Sequence, residues 1–412
     1  MTRTQSTEIA VIGAGVIGLA VAERLLADGH EVTLVDPGPP GMGASYGNAG
    51  TIADYAVAPV GTPDVLRSLP SLLFDRDSPL AIRPGGILAL LPWLARFARQ
   101  SLPAAAARNA LAIAALLQDA GPMWQDLARR VGAEDILQAR GCLYLYQTEA
   151  AARAAPAMVE ARRKLGVTVE LLSPAQLAAM EPALPPMPGA AYFPRAIFLN
   201  DPGAMMARIA GHVLASAPHL EARVDRLRRE PGGVVLEGPG LALRARRVVV
   251  AAGAHSRPLA AMAGDRVPLD TERGYHVEWD MAAPLLSRPS CPTARGFYLC
   301  PMQGRLRVAG TVELGGLAAP ASPHRIARLV EGARSLFPDL GEPDRSWMGF
   351  RPSLPDSLPV IGASAGGAEV IHAFGHGHVG VTMAPVTARI VADLVAGRPA
   401  HLDLAPTSPG RF

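Results

Sequence analysis

Residues 8 to 37, EIAVIGAGVIGLAVAERLLADGHEVTLVDP, decide the fold. A short apolar run, Ile9 to Ile12, reads as a buried strand. Gly13, Gly15 and Gly18 follow with the spacing G-x-G-x-x-G. Leu19, Ala22, Leu25 and Leu26 then recur at helical spacing up to Asp28-Gly29. A second strand pattern, Glu31 to Val35, ends at Asp36, at about the 20-residue distance a dinucleotide fingerprint needs. Each part has a physical task. Gly13 permits the tight turn, Gly15 lets a pyrophosphate approach the backbone, and Gly18 lets the helix pack on the strand. The helix N-terminus, with Val16 and Ile17 in its first turn, offers free N–H groups and a positive dipole end. The Asp36 carboxylate can accept ribose hydroxyls and would repel a 2′-phosphate, which disfavours NADP. The strand, turn, helix, strand and acid together point to an adenine dinucleotide. The expected class is α/β (α+β overall).

At 412 residues the chain is long enough for two domains. Its 49% hydrophobic and 18% charged residues fit a globular protein with a large buried area. A formal net charge of only +3 leaves no electrostatic footprint for nucleic acid. Arginine supplies nearly all the positive charge, because Lys164 is the only lysine. Cys142, Cys291 and Cys300 lack metal-site spacing, so free thiols in a reducing compartment and no metal are expected. The N-terminal apolar run is too short and too glycine-broken for a signal peptide. No stretch of 18 uninterrupted apolar residues predicts a transmembrane helix. A cytoplasmic location is therefore expected. The run Gly86 to Leu94, GILALLPWL, precedes Arg96 and Arg99 and leaves peripheral contact with the inner face of a membrane open.

A proline-marked loop is expected from Pro37 to about Pro84, and helices over about 86 to 140. Strands are expected at 141–148, 190–201, 221–227, 234–236, 246–252, 273–279, 296–300 and 305–312, with helices at 149–165, 202–217 and 324–336. Nucleotide-type elements at both ends suggest a discontinuous Rossmann-type domain, 1–85, 200–265 and 345–412. A second, mixed-sheet domain takes 86–199 and 266–344.

RRVVVAAGAHS, residues 246 to 256, is a buried strand ending in small residues, Ala252 and Gly253 among them, which lets a ligand approach the backbone. Six further motifs follow the fingerprint in order: GASYGNAGTI (43–52), ERGYHVEW (272–279), GFYLCP (296–301), RVAGTVE (307–313), FRPSLPDSLPVIG (350–362) and HAFGHGHVGVTMAPVTARIVADL (372–394). Together the chain resembles the D-amino-acid oxidase/dehydrogenase superfamily of FAD-dependent oxidoreductases, in particular its bacterial D-amino-acid dehydrogenase branch. The resemblance implies FAD held between the Rossmann-type domain and a sheet-rich substrate domain. It implies that Ser45, Asn48, Ala49 and Gly50 pass close to the cofactor, and that the backbone of Val224 meets the adenine. It places the flavin's pyrimidine side at His376, His378, Val379, Gly380, Val381 and Thr382, where helix N–H groups face developing negative charge. Both histidines also read as ordinary capping or core residues, and relatives of the glycine-oxidase type commonly carry Arg at the position of His378.

An amino-acid substrate brings a carboxylate, and a guanidinium fork binds it bidentately. Arg351, in FRPSLPD, is the expected anchor, as its family counterpart is. Tyr275 and Tyr298, on expected substrate-domain strands, are candidates for carboxylate or amine contacts. Arg273 and His276 are expected to face away from Tyr275. Pocket residues are expected from 50–60 and 86–125, which carry no readable code.

The resemblance implies dehydrogenation of a D-amino acid or a cyclic imino acid of the D-proline/hydroxyproline type, by hydride transfer from Cα to flavin N5. A quinone or electron-transfer protein would take the electrons. One alternative is a glycine- or sarcosine-type oxidase using O2. The resemblance implies that sarcosine-oxidase-like relatives activate oxygen with a lysine near the flavin, for which Lys164 is a poor candidate, while other oxidases of the superfamily manage without one. The others are a flavin-binding subunit of a larger dehydrogenase complex and an NAD-dependent enzyme.

Overall fold

The computed structural model describes residues 5–67, 80–82 and 87–412. Parts of the expected proline-marked loop (68–79 and 83–84) and Gly86 lie outside the described residues. Two large sheets organise the chain.

The first sheet has a parallel centre. Gln5–Ile12 pairs with Val32–Asp36 on one side and with Leu241–Val250 on the other. His219–Glu221 extends it beyond Val32–Asp36, and Gly367–Phe374 pairs with Leu241–Val250. An antiparallel ribbon, Gly233–Gly238 with Arg226–Glu230, and the strand Val360–Ser364 complete it. Ile9, Ala10, Val11, Leu34, Val248 and Val249 are wholly buried, as strands covered on both faces require. The helices Val16–Ala27 and Gly380–Val395 cover one face, packed against each other. The first sheet thereby brings the carboxyl ends of its parallel strands, at Ile12, Asp36 and Val250, to one edge, where open α/β sheets bind ligands.

The second sheet runs Arg345–Ser353, Asp270–Asp280, Arg305–Leu314, Phe297–Met302, Ser290–Pro292, Cys142–Tyr146, Gly189–Phe193, Glu170–Leu172, with Leu80–Ile82 beside Arg305–Leu314. Side chains alternate between its faces. One face, with Tyr275, Val277, Phe297, Leu299 and Val308, forms an apolar core under the helix Pro323–Arg334. The other, with His276, Tyr298, Arg307 and Arg351, faces the loop that follows the nucleotide strands. A short sheet of Thr51–Ile52, Ile197–Leu199 and Leu137–Gln138 joins that loop to the rest.

Three expectations change in detail. The strand expected over 221–227 is interrupted: His219–Glu221 ends, 222–225 are irregular, and Arg226–Glu230 begins the ribbon. The strand expected over 190–201 breaks at 194–196, so its halves join different sheets. Residues 345–353, assigned from sequence to the nucleotide-binding side, pair antiparallel with Asp270–Asp280 in the second sheet. The chain returns to the first sheet only at Val360. Cross-strand register, which sequence does not reveal, decides this placement.

Candidate active site

At the nucleotide end the three glycines have different jobs. Gly13 has φ +103°, and a Cβ there would collide with the Ala251 carbonyl. A Cβ on Gly18 would collide with the Gly13 carbonyl. Both serve the protein's own packing. A Cβ on Gly15 would meet nothing nearer than Ser45 Oγ at 3.6 Å. The face above Gly15 is open, and the first turn of the helix Val16–Ala27 points its N–H groups there. The Val16 N–H donates to Ser45 Oγ at 3.0 Å, so Ser45 ties the following loop to this turn. The Asp36 carboxylate is held by two backbone donors, Ala14 N–H at 2.7 Å and Gly38 N–H at 2.9 Å. It is acceptor-only, with lone pairs left for hydroxyl donors. Ala222 N–H bonds Asp36 O, and half-buried Val224 packs with Ala252 on one apolar cluster. Asp36, Val224 and Ala252 thus meet at the sheet's carboxyl edge. Gly253 has φ +53° and open space around a Cβ. An open cradle over a helix N-terminus beside an oriented carboxylate fits a dinucleotide.

The second sheet grips the loop that leaves this cradle. Asn48 Oδ1 accepts the Gly50 N–H at 2.7 Å, a turn with half-buried Ala49 at its centre. Gly50 has φ +77°, and a Cβ would lie 2.6 Å from Leu199 O. Arg307 donates to Asn48 O at 2.5 Å and Tyr46 O at 3.2 Å. His276 Nδ1 meets Gly47 O at 3.0 Å, and its ring stacks on Trp347 at 5.1 Å. Burial, then Arg307, pushes His276 down to about 4, so it is neutral at pH 7. Burial alone would raise Glu278, but Arg307, Arg305 and Arg345 outweigh it and bring it down to about 2. Of these clamping residues only His276 was named from sequence, and not as a contact of the cofactor loop. Their signal is the i, i+2 set His276 and Glu278 on one strand, visible once the sheet's faces are known.

At the other end of the cofactor region, Gly377–Val379 leads into the helix Gly380–Val395. The helix has no side-chain cap, leaving its first N–H groups open. Thr382 Oγ1 accepts the Ala53 N–H at 3.0 Å, and Val381 O accepts Trp124 Nε1–H at 2.8 Å. The two histidines part company. His376 is buried, its Nε2 2.9 Å from Thr387 Oγ1, and burial pushes it down to about 3. Its ring points into the helix packing at Thr387. His378 lies deep in the chain yet keeps an exposed side chain, so it stands on the wall of an internal cleft. Burial and then Arg351 bring it down to about 4.

The half-buried Arg351 is close enough for its charge to act on His378. Gly274 stands beside it, and a Cβ there would sit 2.5 Å from Arg351 Cζ. The guanidinium therefore crosses the strand Asp270–Asp280 over Gly274 and reaches Thr311 O at 2.9 Å. Thr311 has φ +57°, a left-handed conformation that a β-branched residue rarely adopts, beside a bulge between Arg273 and Tyr275. Strain of this kind gathers at functional sites. Burial lowers the Arg351 pKa, and the nearby Glu272 opposes that shift. Among the described residues the guanidinium makes that one hydrogen bond and no ion pair. Four of its five N–H donors are unspent.

Tyr298 shares this face, opposite Ala309, which is opposite His276. Its hydroxyl lies 3.0 Å from that of Tyr144 and 3.4 Å from that of Tyr55. Tyr275 does not join them. It projects from the opposite face, donating to Glu313 and accepting the Ser322 N–H at 3.2 Å. Arg273 shares Glu313 with it, so the expectation that Arg273 faces away from Tyr275 was also wrong: residues two apart share a face. Tyr55 falls in the region 50–60 that carried no readable code. Tyr144 was legible only as part of the period-two set Cys142, Tyr144, Tyr146.

A separate charged cleft of ≈ 520 Å³ lies between the helices Val16–Ala27, Ala120–Arg130 and Gly380–Val395, away from Arg351. Several of its arginines are spent internally, Arg24 on Asp28, Arg130 on Glu23 and Arg398 on Asp393. Among the described residues only Gly377–Val395 is long and apolar enough to cross a membrane, and it is 72% buried inside the protein.

A family model described as FAD dependent oxidoreductase, DAO, matches residues 8–394. The D-amino-acid oxidase of Bradyrhizobium diazoefficiens is 36% identical over 424 residues, covering 99% of each chain. The D-amino acid dehydrogenase 2 of Ralstonia nicotianae is 31% identical, covering 98% of this chain and 100% of its own. The structure of glycine oxidase from Geobacillus kaustophilus superposes with a TM-score of 0.78 at 28% identity, covering 99% and 100%. L-proline dehydrogenase from P. horikoshii, at 19% identity and a TM-score of 0.76, shares the fold. With its nucleotide cradle, its family model and its relatives in agreement over nearly the whole length, the chain belongs to the DAO family of FAD-dependent oxidoreductases.

Proposed function

We propose that the enzyme dehydrogenates a D-amino acid or a cyclic imino acid of the D-proline/hydroxyproline type and passes electrons to a quinone or an electron-transfer protein. The observation that carries the substrate class is Arg351, a deep guanidinium with one hydrogen bond among the described residues. Half-buried and with donors unspent, it can take an anionic partner. A substrate carboxylate supplies one, and the fork fixes its orientation.

Bound FAD supplies the hydride acceptor at N5. The residues of the Gly15 cradle, Ser45, Asp36 and the Asn48 turn would hold its dinucleotide, and the open N–H groups at Gly380 would face the ring's electron-rich edge. Arg351 binds and orients the carboxylate, so that Cα is presented at a fixed place. His378 is neutral at pH 7 and offers the cleft one N–H and one lone pair. Burial keeps Tyr55, Tyr144 and Tyr298 protonated and pushes Cys142 up to about 12. None of these phenols or this thiol takes a proton at neutral pH, and no general base is required where the substrate amine enters neutral.

The oxidase reading is favoured by the name of the Bradyrhizobium relative. Against it, Lys164 is exposed at the end of the helix Glu149–Arg163. An intact Arg351 argues against a flavin subunit with a dead site. Exposed Leu91, Arg96 and Arg99 on the helix Ile87–Gln100 keep peripheral membrane contact within the reading.

Anaerobic bleaching of the flavin with D- and L-amino acids, proline and hydroxyproline isomers and N-methylglycine tests the substrate class. Bleaching by D-amino or cyclic imino acids is expected. Bleaching by N-methylglycine alone, or by none of the panel, overturns it. In air, dye reduction should outrun peroxide formation, and equal rates would favour the oxidase.

A further inference from the structure

Tyr298 does not act alone. Its hydroxyl is one member of a chain of four groups, Tyr144, Tyr298, Tyr55 and Cys142, and the protons in that chain can be counted. Tyr55 Oη donates to Cys142 Sγ at 3.0 Å. The Cys142 thiol points in turn at its neighbour, the Leu143 carbonyl. Tyr55 has a single proton and two acceptors, Cys142 Sγ at 3.0 Å and Tyr298 Oη at 3.4 Å, and the shorter contact takes it. Tyr144 and Tyr298 share a 3.0 Å contact in which either can donate.

The rings are fixed. Tyr55 is wholly buried and stacks on Phe193 at 4.1 Å, and Tyr144 meets both rings edge-on, at 5.6 Å from Tyr55 and 5.0 Å from Phe193. The Arg162 guanidinium lies 5.6 Å from the Tyr144 ring centre. Only the hydroxyl protons of Tyr144 and Tyr298 have a choice. Tyr144 has no other hydroxyl or thiol partner among the described residues. Tyr298 is half-buried, with part of its surface open on the Arg351 face of the sheet.

We propose that Tyr144 is a positioning residue that sets the direction of the Tyr298 proton: Tyr144 donates to Tyr298, and Tyr298 donates to the carboxylate held by Arg351. The inference rests on the carboxylate-anchor reading of Arg351. Without an anion the Tyr298 proton rests on Tyr144 at 3.0 Å, the contact of this chain in which Tyr298 can donate. A carboxylate is the stronger acceptor and draws the proton toward itself. Donation from Tyr144 then polarises the Tyr298 hydroxyl and strengthens its outgoing bond. Tyr144 touches no substrate in this scheme.

The test is a double-mutant cycle on the FAD-loaded enzyme, with benzoate as a bare carboxylate probe and the flavin absorbance change as the binding signal. Tyr298→Phe should weaken benzoate about tenfold or more, the loss of a hydrogen bond to a charged group. Tyr144→Phe should weaken it about two- to fivefold, since it removes only the polarisation. In the Tyr298→Phe background, Tyr144→Phe should change nothing. An equal effect in both backgrounds, or none in the wild type, overturns the relay, because a merely structural tyrosine acts whether or not Tyr298 carries a hydroxyl. If Tyr144→Phe loses FAD, Tyr144→Leu is read in the same cycle. Arg351→Lys separates the two ideas. Unchanged benzoate binding there, with the tyrosines still coupled, sinks the anchor and leaves the relay. Weakened binding with additive tyrosines sinks the relay alone. A wild type that binds no benzoate sinks both.

Discussion

Replacing Arg351 is the sharpest test of the site, and the structure sets the size of the effect. The guanidinium spends one donor on Thr311 O at 2.9 Å, and a bidentate carboxylate would take two more. Hydrogen bonds to charged groups are worth about 1.5–3 kcal/mol. At about 1.4 kcal/mol per decade, Arg351→Ala should lower kcat/KM by about one to two decades. Arg351→Lys should recover only part of this. An ammonium can be a point charge near the carboxylate, but it cannot hold Thr311 O and both carboxylate oxygens with one planar group. FAD content should be unchanged, because no residue that forms the nucleotide cradle contacts Arg351. The assay is steady-state turnover with the best amino acid from the bleaching panel, against a matched amine that lacks the carboxylate. That amine should be a poor substrate for the wild type and little affected by the substitution. Near-normal kcat/KM for the amino acid in Arg351→Ala, or loss of FAD in its place, would refute the reasoning and make Arg351 a structural residue.

Gly274→Ala should reproduce much of the Arg351 loss, about tenfold in kcat/KM, because a Cβ 2.5 Å from Arg351 Cζ forces the guanidinium off its path. Combined with Arg351→Ala it should add nothing further; additive losses would show that Gly274 matters for another reason. Asp36→Ala should weaken FAD retention, measured by dialysis and flavin fluorescence, more than it alters turnover of loaded enzyme, and equal affinity for FAD would count against the ribose assignment. His376 is buried neutral with its pKa pushed down to about 3. A histidine with a lowered native pKa binds more protons when unfolded, so its share of stability is present above pH 6.5 and is lost as pH falls toward 3. Urea unfolding should therefore show a loss approaching about 1.4 kcal/mol per pH unit below 6.5 that His376→Gln reduces. The same slope in both proteins would mean that His376 does not set it.

The legible parts of the chain share a property: their physics is local. Gly13, Gly15, Gly18 and Asp36 sit within one strand–helix–strand unit, and backbone conformation alone explains them. Arg351 stood out in the sequence through its motif, and its role as carboxylate anchor remains the proposal the substitutions above test. The misreadings all needed knowledge of which strand lies beside which. Tyr275 looks equivalent to Tyr298 in sequence, each a strand tyrosine in an aromatic or glycine-bearing motif. The register opposes Tyr275 to Met348 and Tyr298 to Ala309, and that parity puts the two on opposite faces. His376 and His378 differ in the same way by two positions of a tight turn, one ring entering the helix packing at Thr387 and the other opening on the cleft.

The second sheet performs two jobs on one face, and this links the cofactor to the substrate. On the strand Asp270–Asp280, His276 and Glu278 work on the cofactor loop, His276 by meeting Gly47 O and Glu278 by holding Arg307. Two residues before His276, Gly274 makes way for Arg351. The strand rise is about 3.3 Å per residue, so cofactor clamp and substrate anchor are only about 7 Å apart along one backbone. A shift of this strand moves both together, which keeps Cα and the flavin ring in fixed relation through small motions of the sheet. Glu278 is the joint of the arrangement. It holds Arg307 at 2.8 Å, and Arg307 in turn holds the Asn48 carbonyl. Glu278→Gln should therefore act on both partners at once, weakening FAD and raising KM for the amino acid. FAD affinity and KM measured on the same preparation decide it: a change in FAD affinity with KM untouched would show that the two ends of the strand are not mechanically joined.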